Sequence, residues 1–143
     1  MKKKLIIGVL ALLVVGGAGY KLKFAKAEPV HKVEGEVYVL PKEFTVNLGA
    51  GRFAKLGVGL VFDHGFTAVA GGHGAATPPE GFGPLLQEAL VRDIVTDELT
   101  GSKADELIGA EGRHELKEKI VKQIKKKTDV KVEEVLFTDV AVQ

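Results

Sequence analysis

Apolar positions follow three different rhythms along this chain. The first is an unbroken run from Leu5 to Tyr20, fenced by Lys2, Lys3 and Lys4 on one side and by Lys21, Lys23 and Lys26 on the other. As a helix this run rises ~24 Å, short of the ~30 Å hydrocarbon core of a bilayer. Leu22 and Phe24 extend it, because the lysines between them can carry their charges to the interface while their stems stay in the apolar layer. The pattern therefore predicts a transmembrane helix over residues 5–24, anchored by Leu5, Ile6, Ile7, Val9, Leu10, Leu12, Leu13, Val14, Val15 and Tyr20. A cleaved signal peptide would use the same basic start and apolar core, with Gly16-Gly17-Ala18 or Ala25-Lys26-Ala27 at the cut. A basic flank after the core holds a segment in the membrane, so retention is the expectation. Lysines and the α-amino group in residues 1–4, against a far flank offset by Glu28, tilt the orientation toward a cytoplasmic N-terminus.

The second rhythm is alternation. Phe44, Val46 and Leu48 alternate with Glu43, Thr45 and Asn47, and Ala54, Leu56, Val58, Leu60 and Phe62 keep the same beat. Successive side chains of a strand point to opposite faces, so these are two half-buried strands, joined by a hairpin loop at Gly49-Ala50-Gly51-Arg52. Val37–Leu40 adds a short strand before Pro41. The last segment alternates too: Val130, Val132, Leu136, Val140 and Val142 share one face, while Val135 and Phe137 give the other an apolar centre. A strand apolar on both sides belongs inside a sheet.

The third rhythm is helical. From Pro84 to Leu99, Leu86, Leu90 and Ile94 form one row and Val91, Val95 and Leu99 the next, a wide stripe that should lie across the sheet. Thr100-Gly101 ends it, and Ser102 with Asp105 reads as the N-cap of a short helix through Leu107. A third helix, from about Glu111 to Lys127, buries Leu116, Ile120 and Ile124. Between strands and helices, His64 to Gly83 is dense in glycine, contains Thr77-Pro78-Pro79, and reads as a surface loop. The whole predicts an α+β chain: a tail over 1–4, a transmembrane helix over 5–24, a linker over 25–36, and one compact domain over 37–143. That domain should carry a small, mainly antiparallel sheet packed by about three helices.

Composition narrows the chemistry. A net charge of +1 argues against a nucleic-acid partner, which calls for a clustered basic excess. Without cysteine there is no disulfide and no thiolate metal site. Ser102 is the sole serine and is better explained as a cap than as a nucleophile. His31, His64, His73 and His114 never fall at the i, i+4 spacing that would put two imidazoles on one metal, and Asp97 and Glu98 are adjacent on a helix and so diverge. Gly49-Ala50-Gly51-Arg52-Phe53-Ala54 matches the dinucleotide fingerprint, but alternation resumes after it and no helix N-terminus follows to meet a pyrophosphate. Lys125-Lys126-Lys127 complements a helix dipole, and Lys119, Lys122 and Lys126 form a solvated row. No catalytic, metal or cofactor residue is expected.

The order of elements nevertheless carries a likeness. An N-terminal span, the strand Phe44-Thr45-Val46-Asn47-Leu48, the strand Leu56 to Phe62, and a long closing block resemble the flagellar basal body-associated FliL family. The closing block is the most specific part: Leu99-Thr100-Gly101-Ser102, Glu106-Leu107, Glu111-Gly112-Arg113, then Leu116, Ile120 and Ile124, and finally Val135-Leu136-Phe137-Thr138-Asp139-Val140-Ala141-Val142-Gln143. The chain departs from the family's pattern in the long glycine-rich stretch and at Val140, where an aromatic residue is more usual. The resemblance implies a single-pass inner-membrane protein with a periplasmic domain of stomatin/prohibitin (SPFH)-like fold. It also implies no catalytic residues, no cofactor, and a role at the flagellar basal body as a homo-oligomeric ring around stator proteins, supporting motor torque and motility. A membrane-anchored periplasmic ligand-binding or sensory module is the alternative; a membrane-tethered enzyme would need convergent polar groups in a pocket, which only the glycine-rich stretch with His64 and His73 could supply.

Overall fold

In a computed structural model the described residues are 32–68 and 77–143. The expected anchor, the tail before it, linker residues 25–31, His31, His73 and residues 69–76 of the glycine-rich stretch lie outside them. Among the described residues no helix is long and apolar enough to cross a membrane. Val33–Gln143 forms a unit of its own. It runs β1 (Val37–Val39), β2 (Phe44–Asn47), β3 (Phe53–Phe62), α1 (Glu88–Leu99), α2 (Ala104–Ile108), α3 (Ala110–Lys127) and β4 (Val132–Val142). The expected α+β architecture, an antiparallel sheet with three helices, is what forms.

The sheet is built around β3. β1 and β2 pair antiparallel with successive stretches of the same edge of β3, Val37 opposite Val61 and Phe44 opposite Leu56, so they are two pieces of one interrupted strand. β4 pairs antiparallel with β3 over most of its length. Ala54, Leu56, Val58, Leu60 and Phe62 are all fully buried, forming the row on which the helices pack. Leu99, Leu107, Ile120 and Ile124 close on that row, each worth ~1.5–3 kcal/mol of burial before entropy is charged.

Three expectations require correction. Among the described residues β4 is an edge strand, not an interior one: β3 is its only partner there, and β3 is the strand buried on both faces. The two-sided apolar look of β4 comes from register. Irregularities opposite Lys55/Gly57 and Val61/Phe62 insert extra residues on β4, and each reverses which parity faces the core. Val130 and Val132 point inward, then Val135 and Phe137, then Val140 and Val142, while Leu136 sits opposite Gly59 on the outer face. Asp139, with φ 51, lies at the irregularity opposite Lys55/Gly57.

The first helix starts at Glu88, not Pro84, and its phase differs. Glu88, Val91, Ile94, Val95 and Leu99 are buried, whereas Leu86 precedes the helix at 78% exposure and Leu90 is also exposed. Leu85 takes the inward place instead. The Glu88 side chain turns into the fold, and this fixes the rotation that carries Leu86 and Leu90 outward.

The N-cap of α2 is Lys103, not Ser102. The Glu106 carboxylate accepts the Lys103 backbone N–H at 3.3 Å, and Ser102 Oγ donates backwards to the Glu98 carbonyl at 2.9 Å, closing α1. At the other end of α2, Arg113 Nη1 donates to the carbonyls of Leu107 and Ile108, satisfying groups that a short helix leaves open. α3 ends where Thr128 brings both its backbone N–H and its hydroxyl to the Ile124 carbonyl.

Candidate functional site

The polar centre of the domain lies where β1, the turn before α1, and the first residue of α1 converge. Tyr38 faces the core from β1, its ring stacked near Phe62 with centroids 6.0 Å apart, and Phe66 meets Phe62 edge-on at 5.0 Å. Its hydroxyl donates to Glu88 Oε2 at 2.5 Å, and the backbone N–H of Gly83 donates to the same oxygen at 2.8 Å. Glycine at position 83 leaves room for this contact, since a Cβ there would displace the Tyr38 hydroxyl. Glu88 is buried and its other oxygen, Oε1, has no hydrogen-bond partner among the described residues. Burial, with the hydrogen bond to Glu88 and its charge, raises the Tyr38 phenol well above its ordinary pKa, and Arg92 offsets only part of this.

Neighbouring groups frame this centre. Arg92 Nη1 donates to the Lys42 carbonyl at 2.9 Å, and its guanidinium lies 4.3 Å from the centre of the Phe44 ring. Gln87 and Asp129 exchange hydrogen bonds, Asp129 N–H to Gln87 Oε1 at 2.9 Å and Gln87 Nε2 to Asp129 Oδ2 at 3.3 Å, tying the start of α1 to the turn before β4. Two cavities flank Leu86. One of about 390 Å³ is lined by Phe66, Ala68, Leu85 and Val130, and one of about 300 Å³ by Pro78, Pro79, Phe82, Pro84 and Glu88.

The two histidines among the described residues stand on separate elements. His64 is exposed, and His114 stands on the surface of α3 beside Glu118, 3.3 Å away. Among the described residues no group of three His, Asp or Glu side chains could hold a metal ion. The fingerprint at Gly49-Ala50-Gly51 is a tight turn with Ala50 at φ 62, and it leads into β3 as the alternation requires. Lys119, Lys122, Lys125, Lys126 and Lys127 are exposed on α3.

Neither Tyr38 nor Glu88 was singled out by sequence reasoning, though a signal was there. Glu88 begins the row Glu88, Val91, Val95, Leu99, so a carboxylate occupies a position of the buried stripe. Three further features are set apart from the core: Val37 and Val39, 53% and 57% exposed on the outer sheet face; Ile108 at 57% exposure on α2; and the outer edge of β4, which pairs with no other strand among the described residues. A family model described as flagellar basal body-associated protein FliL matches residues 37–143. No curated protein matches the chain.

Proposed function

This chain belongs to the flagellar basal body-associated FliL family, and from that premise we propose that it is a non-catalytic scaffold that encircles and steadies stator units at the inner membrane. The observation that carries the reading is the extent of the family match, which begins at β1 and ends with β4 and so takes in the whole sheet and all three helices. Residues 5–24 would hold the chain in the bilayer with its N-terminus cytoplasmic and the domain periplasmic. The exposed Val37 and Val39 and Ile108 are the kinds of surface a protein partner or a second copy uses.

A ring of such domains would act by differential binding. Contacts that favour the engaged conformation of a stator by only ~1.4 kcal/mol change its population ratio tenfold, with no bond made or broken. Tethering raises the effective concentration of protomers, so an interface too weak to assemble in free solution can close on the membrane. The test is bead rotation at high viscosity in a deletion strain, together with crosslinking of the full chain in membranes. Reduced torque with flagella intact, and crosslinks to stator proteins, are the expected results. Normal torque with no such crosslinks overturns the reading.

A further inference from the structure

The three helices carry their charges unevenly. Residues 93–118 hold eight acidic and three basic side chains, a net −5 with His114 neutral, whereas residues 119–127 hold five lysines and no acid, a net +5. The fold keeps the two groups apart. At one end of β3 the Gly101 N–H bonds the Asn47 carbonyl, which gathers the last turn of α1, α2 and the start of α3 there. At the other end Asp129 exchanges hydrogen bonds with Gln87, the Asp63 N–H bonds the Lys131 carbonyl, and α3 finishes. With 18 residues, α3 spans ~27 Å between them.

Helix dipoles account for part of this pattern. Asp105, Glu106 and Glu111 lie in first turns, and Lys125, Lys126 and Lys127 in a last turn, where each sign is favoured. They do not account for the rest. Asp97 sits in the last turn of α1, where the dipole opposes a carboxylate and no basic residue accompanies it. Asp93 repeats that charge one turn earlier, and Lys119, Lys122 and Lys126 follow one another at spacings of three and four on α3. Like charges so spaced are neighbours and oppose the helix that carries them. All five are exposed, and the ion pairs among the described residues, Lys55 with Glu43 and His114 with Glu118, involve none of them.

Each group therefore lacks a counter-charge among the described residues, and the other group supplies it in a second copy. A partner of one sign would answer only one of the two. We propose that the lysine face of α3 docks against the acidic end formed by α1 and α2 of a second copy of this chain, head to tail. Such a contact leaves one end of each copy open, so it propagates, and it closes as a ring when the rotation between copies allows. The proposal rests on the scaffold reading for association itself and adds the surfaces that meet, and its test does not involve the motor.

The full chain is reconstituted into phosphatidylcholine vesicles, whose surface carries no net charge to compete. Since the chain contains no cysteine, Lys126→Cys and Asp105→Cys placed together and joined by a short bismaleimide report head-to-tail neighbours as a ladder of dimers, trimers and larger species. The ladder should be present at about 0.05 M salt and weaken several-fold at about 0.5 M, as screening shortens the reach of exposed charges. Lys119→Glu with Lys122→Glu should reduce it by about tenfold, and so should Asp93→Lys with Asp97→Lys. The second pair suits the α1 dipole, so loss of folding does not explain its effect, and circular dichroism checks this. Mixing the two reversed chains should restore the ladder, which a merely structural defect would not allow. Copies that crosslink equally well with either reversal overturn the proposal and leave the scaffold reading standing on another interface, whereas chains that never crosslink and remain single in the vesicles overturn both. A product that stops at the dimer overturns the head-to-tail contact. Sensitivity to the lysine reversal alone also overturns it, and points the lysines to another acidic surface such as lipid headgroups.

Discussion

Replacing Tyr38 by Phe removes one oxygen and little else. The ring keeps its place beside Phe62, and Glu88 Oε2 keeps the Gly83 N–H, but the 2.5 Å hydrogen bond to the carboxylate is lost. Hydrogen bonds to charged groups contribute ~1.5–3 kcal/mol, and here the partner is buried, so the upper part of that range applies. For a domain of this size 1 kcal/mol lowers the melting temperature by about 4 °C, giving an expected drop of about 8–12 °C. Thermal unfolding of the full chain in detergent, followed by near-ultraviolet circular dichroism, measures it. Glu88→Gln completes a double-mutant cycle, in which the coupling between the two positions should exceed ~1 kcal/mol. The pair also fixes a pH signature. The phenol's pKa is raised in the fold, so its contribution is fully present below about pH 10, the unfolded value, and declines as pH rises further. The gap between parent and Tyr38→Phe should therefore narrow above pH ~10. A melting temperature within about 1 °C of the parent, or a gap unchanged at high pH, would refute the argument that Tyr38 and Glu88 support one another.

Other substitutions probe the frame around that pair. At Gly35 a Cβ would lie 1.7 Å from the Phe62 carbonyl oxygen, a backbone atom that cannot step aside, so Gly35→Ala should destabilise by about 3 kcal/mol or more, read from urea midpoints. Asp139 sits at φ 51, so Asp139→Gly should be neutral or stabilising by up to ~1 kcal/mol, whereas Asp139→Val should be clearly destabilising. Truncation before Val130 removes Val130, Val132 and Val135 from the core and leaves one side of β3 unpaired. The expected outcome is loss of cooperative unfolding, and an unchanged thermal transition would show that β4 is dispensable. Intact-mass measurement of the membrane fraction should find the chain uncleaved, and a mature form beginning near Gly19 or Glu28 would show instead that residues 5–24 are a signal sequence.

Local pattern was enough to determine much of this protein. Alternation located β2 and β3 because a half-buried strand leaves a period of two in the residues, and helical spacing located α3 with Leu116, Ile120 and Ile124 inward. Alternation likewise marked the segment after Gly51 as a strand, β3, where the dinucleotide fingerprint would call for a helix. What only the tertiary structure decided was phase and pairing. The bulges of β4 exchange its inner and outer parities, and a bulge depends on the partner strand, so Val135 and Leu136 could not be assigned faces from their own neighbours. The rotation of α1 depends on Tyr38, some fifty residues earlier, drawing Glu88 inward and leaving Leu86 at the surface. The Glu88 site was hidden for the same reason: a carboxylate in an apolar row looks like a lapse in the pattern until its distant donors, and the oxygen they leave bare, are brought together by the fold.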